Sequence, residues 1–148
     1  PGVQVTVPND SLEERDPMFA EGATVDLTPD NAETFVRYRD IHVSQSALMR
    51  VERQKVFMEA YGTRLKELCA KDPGVAVDLY VGLEPYMVTN LDMGEATELA
   101  AELAGAEIRQ WTVPGEGQEG LDFDEYIVDD DALYTQIIET FYTEVGKS

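Results

Sequence analysis

Residues 46–70, SALMRVERQKVFMEAYGTRLKELCA, carry the longest helical pattern in the chain, and Asp72-Pro73-Gly74 stops it. At about 100° per residue, Arg50, Arg53, Gln54 and Phe57 fall on one face of such a helix. Leu48, Val51, Met58, Leu65 and Cys69 lie on one flank of that face, and Met49, Val56 and Ala60 on the other. Both flanks are expected to pack into protein, so that the polar face lines a crevice. Upstream, GVQVTVP (residues 2–8) alternates valine with polar residues, the period of a half-buried strand ended by proline. A second strand fits residues 23–27. The acidic, turn-rich residues 9–22 read as a surface excursion between the two. With Thr28 as cap and Pro29 in its first turn, a short helix is expected over residues 31–39, ending in Arg37-Tyr38-Arg39-Asp40. A polar connector, residues 41–46, then leads into the long helix.

Downstream, the valine-rich residues 75–83 fit a strand or a short helix, because periodicity does not separate the two over so short a run. Residues 95–103 read as a helix closed by Gly105, residues 108–113 as a strand around Trp111, and residues 114–117 as a loop. Another strand is expected over residues 125–128. The chain ends in an amphipathic helix over residues 130–145, capped by aspartates and stopped at Gly146. No repeat or low-complexity tract interrupts this order.

At 148 residues the chain has room for one domain, and 43% hydrophobic content is too rich for a disordered acidic tail. Eleven basic against 30 acidic residues give a net charge of −19, which argues against a nonspecific grip on nucleic acid. The single Cys69 and single His42 exclude an internal disulfide framework, a thiolate zinc site and multi-histidine clusters. No run approaches the roughly 18 to 20 apolar residues of a membrane helix, and no signal peptide opens the chain. It begins at Pro1 without an initiator methionine, which leaves room for an upstream anchor or half-domain.

Eight of the eleven basic residues lie between Arg37 and Lys71, a stretch with only four acids. A basic island in so acidic a chain suits a small, multiply charged anion better than a long polyanion. Guanidinium groups on a crevice wall bind phosphate oxygens bidentately, and Arg37 and Arg39 can approach from a second element. A cap by Ser44 or Ser46 would add helix N–H groups to that attraction. The plainer alternative is a solvated face on which Glu52, Glu59 and Glu67 pair with the bases. Among other candidates, Asp129-Asp130-Asp131 reads as a helix cap rather than a cation site. Residues 114–118 lack the Lys-Ser/Thr of a phosphate loop. His42 beside Ser44 and Ser46 is no triad, and Cys69 is expected to pack.

The glycine-valine strand at residues 2–8, Glu21-Gly22-Ala23-Thr24-Val25-Asp26-Leu27-Thr28-Pro29 before a helix, the Arg37-Tyr38-Arg39 pair and Arg50-Val51-Glu52-Arg53-Gln54 occur in an order that resembles the second half of a LytR-CpsA-Psr domain. The tail resembles the C-terminal extension of Gram-positive members. The resemblance implies an α/β fold, part of a three-layer α-β-α sandwich with a mixed β-sheet. It makes residues 1–148 a single, partial domain without its N-terminal half. It also implies a membrane-anchored phosphotransferase on the extracytoplasmic face of a Gram-positive cell membrane, moving an anionic glycopolymer such as teichoic acid or capsule from a polyprenyl-pyrophosphate carrier to peptidoglycan. By matching motif positions, Arg37 and Arg39 are carried over as catalytic contacts to pyrophosphate and transition state, and Arg50, Arg53 and Gln54 as substrate contacts. Magnesium is implied as cofactor, with ligands expected in the half that precedes Pro1. Two positions depart from the family pattern: Met49 stands where a small residue is usual, and the connector holds Val43-Ser44-Gln45-Ser46 where it is usually acidic.

Other readings stay open. The crevice can hold a pyrophosphate lipid without transferring anything. Members of the family carry a transcription-attenuator label, although a net charge of −19 and the lack of a helix-turn-helix pattern oppose direct DNA contact. The arginines can also be ordinary ion pairs in an interaction domain, and an exposed sheet edge and apolar face would favour self-association.

Overall fold

Alternating valines place Val3, Val5 and Val7 on one side of the first strand, β1 (Val3–Thr6), which pairs antiparallel with β2 (Thr24–Leu27) in the register Val3 to Leu27 and Val5 to Val25. The computed structural model describes residues 2–106, 109–121 and 123–142. Backbone bonds from Val7 N–H to the Ala23 carbonyl and from Gly22 N–H to the Val7 carbonyl, both 2.9 Å, extend the ribbon by one step. Gly22 enters β2 with φ +79°, a conformation that costs a glycine little.

After β2, the side chain of Asn31 organises the turn. Its Oδ1 accepts the Thr28 N–H at 2.8 Å and its Nδ2 donates to the Asp26 carbonyl at 3.2 Å. Helix α1 (Ala32–Arg37) follows, with the Thr28 carbonyl accepting the Ala32 N–H. Thr28 thus contributes its backbone rather than a side-chain cap. Tyr38 takes an extended conformation, so α1 stops two residues earlier than its sequence pattern suggests. The long helix, α2 (Ser46–Lys71), forms as expected. Neither Ser44 nor Ser46 caps it: the N-cap position is Gln45, left-handed at φ 59°, with no side-chain capping bond.

The core lies between the ribbon, α1 and α2. Val5, Val7, Leu12, Phe19, Val25, Leu27 and Phe35 are buried, and Val56, Phe57 and Ala60 of α2 pack against them. Phe19 and Phe35 meet with ring centroids 5.6 Å apart. The acidic stretch between the strands is therefore more than a surface excursion. Its turns fold Leu12 and Phe19 inward to 0% and 1% exposure, the second on a 3-10 turn (Pro17–Phe19) capped by Asp16. Only one flank of α2 packs as expected; on the other, Val51 and Met58 stay exposed.

Beyond α2, the valine-rich run is helix α3 (Gly74–Leu83), resolving the open choice between strand and helix. Helix α4 (Met93–Gly105) starts on a reciprocal capping box, in which Asp92 and Glu95 each accept the other's N–H at 2.9 Å. The strand expected at residues 108–113 does not form over residues 109–113; residues 107 and 108 lie outside the described residues. Instead the expected loop is strand β3 (Gly115–Glu119), paired antiparallel with β4 (Asp124–Val128) from Gly115 opposite Val128 to Glu119 opposite Asp124. Two glycines oppose strand formation, but pairing with Tyr126, Ile127 and Val128 overrides that weak local preference. Asp129 caps the last helix, α5 (Asp130–Phe141), by accepting the Ala132 N–H at 2.9 Å. The helix ends at Phe141, with Tyr142 extended, short of the end expected at residue 145; residues 143–148 lie outside the described residues.

The protein is thus a mixed α/β fold. Among the described residues the strands pair only as two antiparallel ribbons, not as one mixed sheet. Gln4, Thr6, Thr24 and Asp26 on the second face of β1 and β2 are exposed. No residue after Arg53 whose burial is described is buried. Stability should therefore be set by the first half. Phe35→Ala is expected to cost about 3–5 kcal/mol, and Phe141→Ala, on the exposed last turn of α5, less than about 0.5 kcal/mol; urea unfolding of both variants measures the contrast.

Candidate functional site

The guanidinium of Arg53 sits where α1 ends against α2 and is 1% exposed. Its Nε donates to the Phe35 carbonyl at 2.8 Å, one Nη donates to the Tyr38 carbonyl, and the other donates to Ser11 Oγ. One residue on, Gln54 Nε2 donates to the Val36 carbonyl at 3.0 Å. These carbonyls belong to the end of α1, where a short helix leaves acceptors without intrahelical donors. A cation there also meets the negative end of the helix dipole. Burial, and secondarily the charge of Arg50, pull the Arg53 pKa below its ordinary value. Arginine nonetheless stays protonated at any working pH.

A second set of bonds continues from the same point. Ser11 Oγ donates to Asn9 Oδ1 at 2.5 Å, and Asn9 Nδ2 donates to the Met49 carbonyl at 3.0 Å and to Glu52 Oε2 at 2.8 Å. Residues 9–11 are thereby tied to both helices. Glu52 is engaged by an amide rather than by an arginine, and the ion pairs among the described residues are Arg37 with Glu33 and Arg64 with Glu67. Ordinary pairing along α2 therefore does not account for Arg50 and Arg53.

Above Arg53 opens a cleft of about 570 Å³ whose walls include Ser11, Arg15, Tyr38, Arg39, Ser46 and Met49. Arg15 lies over the Tyr38 ring, 4.4 Å from its centroid, in cation–π geometry. Arg39 is exposed and makes no hydrogen bond or ion pair among the described residues. Asp10, Glu14 and Asp40 also border the cleft, so it carries three cations and three carboxylates rather than a single sign. Ser46, 4% exposed, holds a buried Oγ without a partner.

The expected site residues divide. Arg39 and Arg53 share the cleft, the first as a free head group and the second as its floor. Arg37, the last residue of α1, does not line the cleft and pairs with Glu33 at 2.8 Å on an exposed surface. Gln54 is occupied by the Val36 carbonyl. Arg50 is half-buried beside Arg53 and outside the cleft wall, and its Nε is buried without an acceptor. Sequence reasoning did not single out Arg15, Tyr38 or Ser11. A signal existed for Arg15, the one base before Arg37, set among Glu13, Glu14 and Asp16.

Among the described residues no three His, Cys, Asp or Glu side chains come together to hold a metal ion.

Replacing Arg53 by lysine keeps the charge but loses the fork, leaving carbonyls of α1 unsatisfied. Arg53→Lys is expected to destabilise the fold by about 2 kcal/mol or more. Arg37→Ala is expected to stay within about 0.5 kcal/mol, as exposed pairs do; chemical denaturation distinguishes the two.

The family model described as the LytR_cpsA_psr family matches residues 1–140. No curated protein and no solved structure matches the chain. The match spans the ribbon, the Arg39 cleft, the long helix and nearly all of α5, and the chain belongs to the LytR_cpsA_psr family.

Proposed function

We propose that the protein binds a polyprenyl-pyrophosphate-linked cell-wall glycopolymer in the Arg39 cleft and takes part in its transfer to peptidoglycan. Family membership supports a role in cell-wall glycopolymer metabolism. The observation that carries the finer reading is Arg39: an exposed guanidinium without a protein partner, beside Arg15 and over Arg53, in a cleft large enough for a diphosphate. The motif order further supports matching residues 1–148 to the later part of the domain. The same reading puts the protein at the extracytoplasmic face of a Gram-positive membrane, held there by an anchor.

In the transfer, an acceptor hydroxyl oxygen bonds to the glycopolymer-side phosphorus while the bridging P–O bond breaks, and polyprenyl phosphate leaves, taking up the hydroxyl proton. Such chemistry needs positioning and charge neutralisation more than covalent help. Arg39 and Arg15 would supply the charge. Arg53 would hold Tyr38, and so Arg39, in place. The unpartnered Nε–H of Arg50 is a donor for which a phosphate oxygen is a fitting acceptor. Arg37 would contribute after exchanging its exposed Glu33 pair, a low cost. Magnesium is implied by the family, with its ligands expected in the half that precedes Pro1, and no step is assigned to it. Because Arg39 alone of the two expected catalytic arginines borders the cleft, binding of the lipid without transfer is the second reading.

Calorimetric titration with a soluble short-chain polyprenyl pyrophosphate, with and without magnesium, tests the site. Arg39→Ala is expected to weaken binding roughly ten- to hundredfold, the worth of a charge-assisted hydrogen bond. Arg50→Ala should weaken it in the same direction. Affinity indifferent to both substitutions would remove the arginine cleft as the pyrophosphate site. Glycopolymer transfer by the protein, lost in Arg39→Ala, would separate a transferase from a binding module.

A further inference from the structure

Arg39 reaches α2 through a connector, residues 40–45, whose far end is fixed by the β3–β4 ribbon from the other end of the chain. Asp124, the first residue of β4, accepts the Gln45 N–H on Oδ2 at 2.6 Å and the Ser44 hydroxyl on Oδ1 at 3.2 Å. At the near end, Asp40 accepts the His42 N–H at 2.8 Å. Gln45 is the one non-glycine among the described residues with positive φ, and its own side chain caps nothing. The Asp124 carboxylate accepts the N–H of the N-cap residue itself, the bond that the acid of a capping box makes, and lies at the positive end of α2. Gly117 of β3 packs against this turn: a Cβ there would meet the side-chain ends of Gln45 and Leu48. Between ribbon and connector lies a hollow of about 420 Å³, bordered by Arg39, His42, Ser44, Glu119 and Asp124.

Resting on the anion-site reading of Arg39, we infer that Asp124 is a positioning residue: it latches the β3–β4 ribbon onto the Ser44-Gln45 turn and so holds Arg39 at the cleft. Two anchors define the course of a six-residue connector. With the second released, the left-handed turn at Gln45 loses the bonds that hold it, and the chain carrying Arg39 gains freedom that binding must then remove. The sign of the effect is diagnostic. Asp124 is an anion close to an anion site, so charge alone says that its removal strengthens anion binding. A latch says that removal weakens it.

The test uses the whole chain and inorganic pyrophosphate as probe, with Asp124→Ala, Asp124→Glu, Arg39→Ala and the Asp124→Ala/Arg39→Ala double variant. Amide hydrogen exchange at Gln45 is followed in parallel. Asp124→Ala is expected to speed Gln45 exchange about tenfold or more and to weaken pyrophosphate binding about three- to tenfold. Asp124→Glu should restore most of the affinity. In the Arg39→Ala background Asp124→Ala should cost nothing further, the non-additivity expected if it acts through Arg39. Unchanged Gln45 exchange, tighter binding by Asp124→Ala, or losses that simply multiply in the double variant would overturn the latch. Binding untouched by Arg39→Ala, or no binding by the parent chain, would instead overturn the anion-site reading, and the positioning role with it.

Discussion

One guanidinium closes the structure. Arg53 brings a charge into the seam between α1, α2 and the residues 9–11 turn, where it is tolerable only because three acceptors meet its fork. Each acceptor is the end of something: the Phe35 and Tyr38 carbonyls finish α1, and Ser11 leads through Asn9 back to α2. With Gln54 completing the set, two consecutive residues of the long helix supply donors that α1 lacks. The extended turn at Tyr38 follows from this, and that turn separates Arg37 from Arg39. Neighbours two positions apart thereby acquire different surroundings, one an exposed ion pair and the other an open cleft.

The cleft inherits its character from the same seam. Its floor is a residue already satisfied by protein, and its rim holds cations that are not: Arg39 without a partner and Arg15 resting on the Tyr38 ring. A structural arginine below and available arginines above make a rigid surface on which cationic donors stand among carboxylates. Preorganised donors of this kind stabilise an anion without reorganising when it arrives. The carboxylates of Asp10, Glu14 and Asp40 restrain the field, which favours a ligand of fixed shape over any passing polyanion.

Much of the fold was legible because it is written in periods. Valine alternation marked β1 and β2, the 46–70 pattern marked α2, and acidic caps marked α5. The misreadings share a cause, long-range context. Leu12 and Phe19 look like apolar residues scattered in an acidic turn until the turn folds them under Phe35. Residues 115–119 look like a glycine loop until β4 pairs with them. The arginine motifs were visible as residue types, but their roles depended on where α1 stops. That stop is set by the Tyr38 turn and by bonds from Arg53 and Gln54, 15 to 18 residues away in sequence. Arg15 showed as a lone base among acids, and only proximity to Tyr38 makes it part of the cleft.

The concentration of buried residues at or before position 53 has an evolutionary corollary. Positions in the ribbon, α1 and the inner face of α2 are coupled through packing, so drift there is confined to changes that preserve volume. From α3 onward, side chains face solvent in whole or in part, and substitution is restrained chiefly by helix caps, strand pairing and solubility. The first part of the molecule should diverge slowly among relatives, the second quickly. Lineages would then retain one arginine-lined scaffold while freely varying the surface displayed beside it.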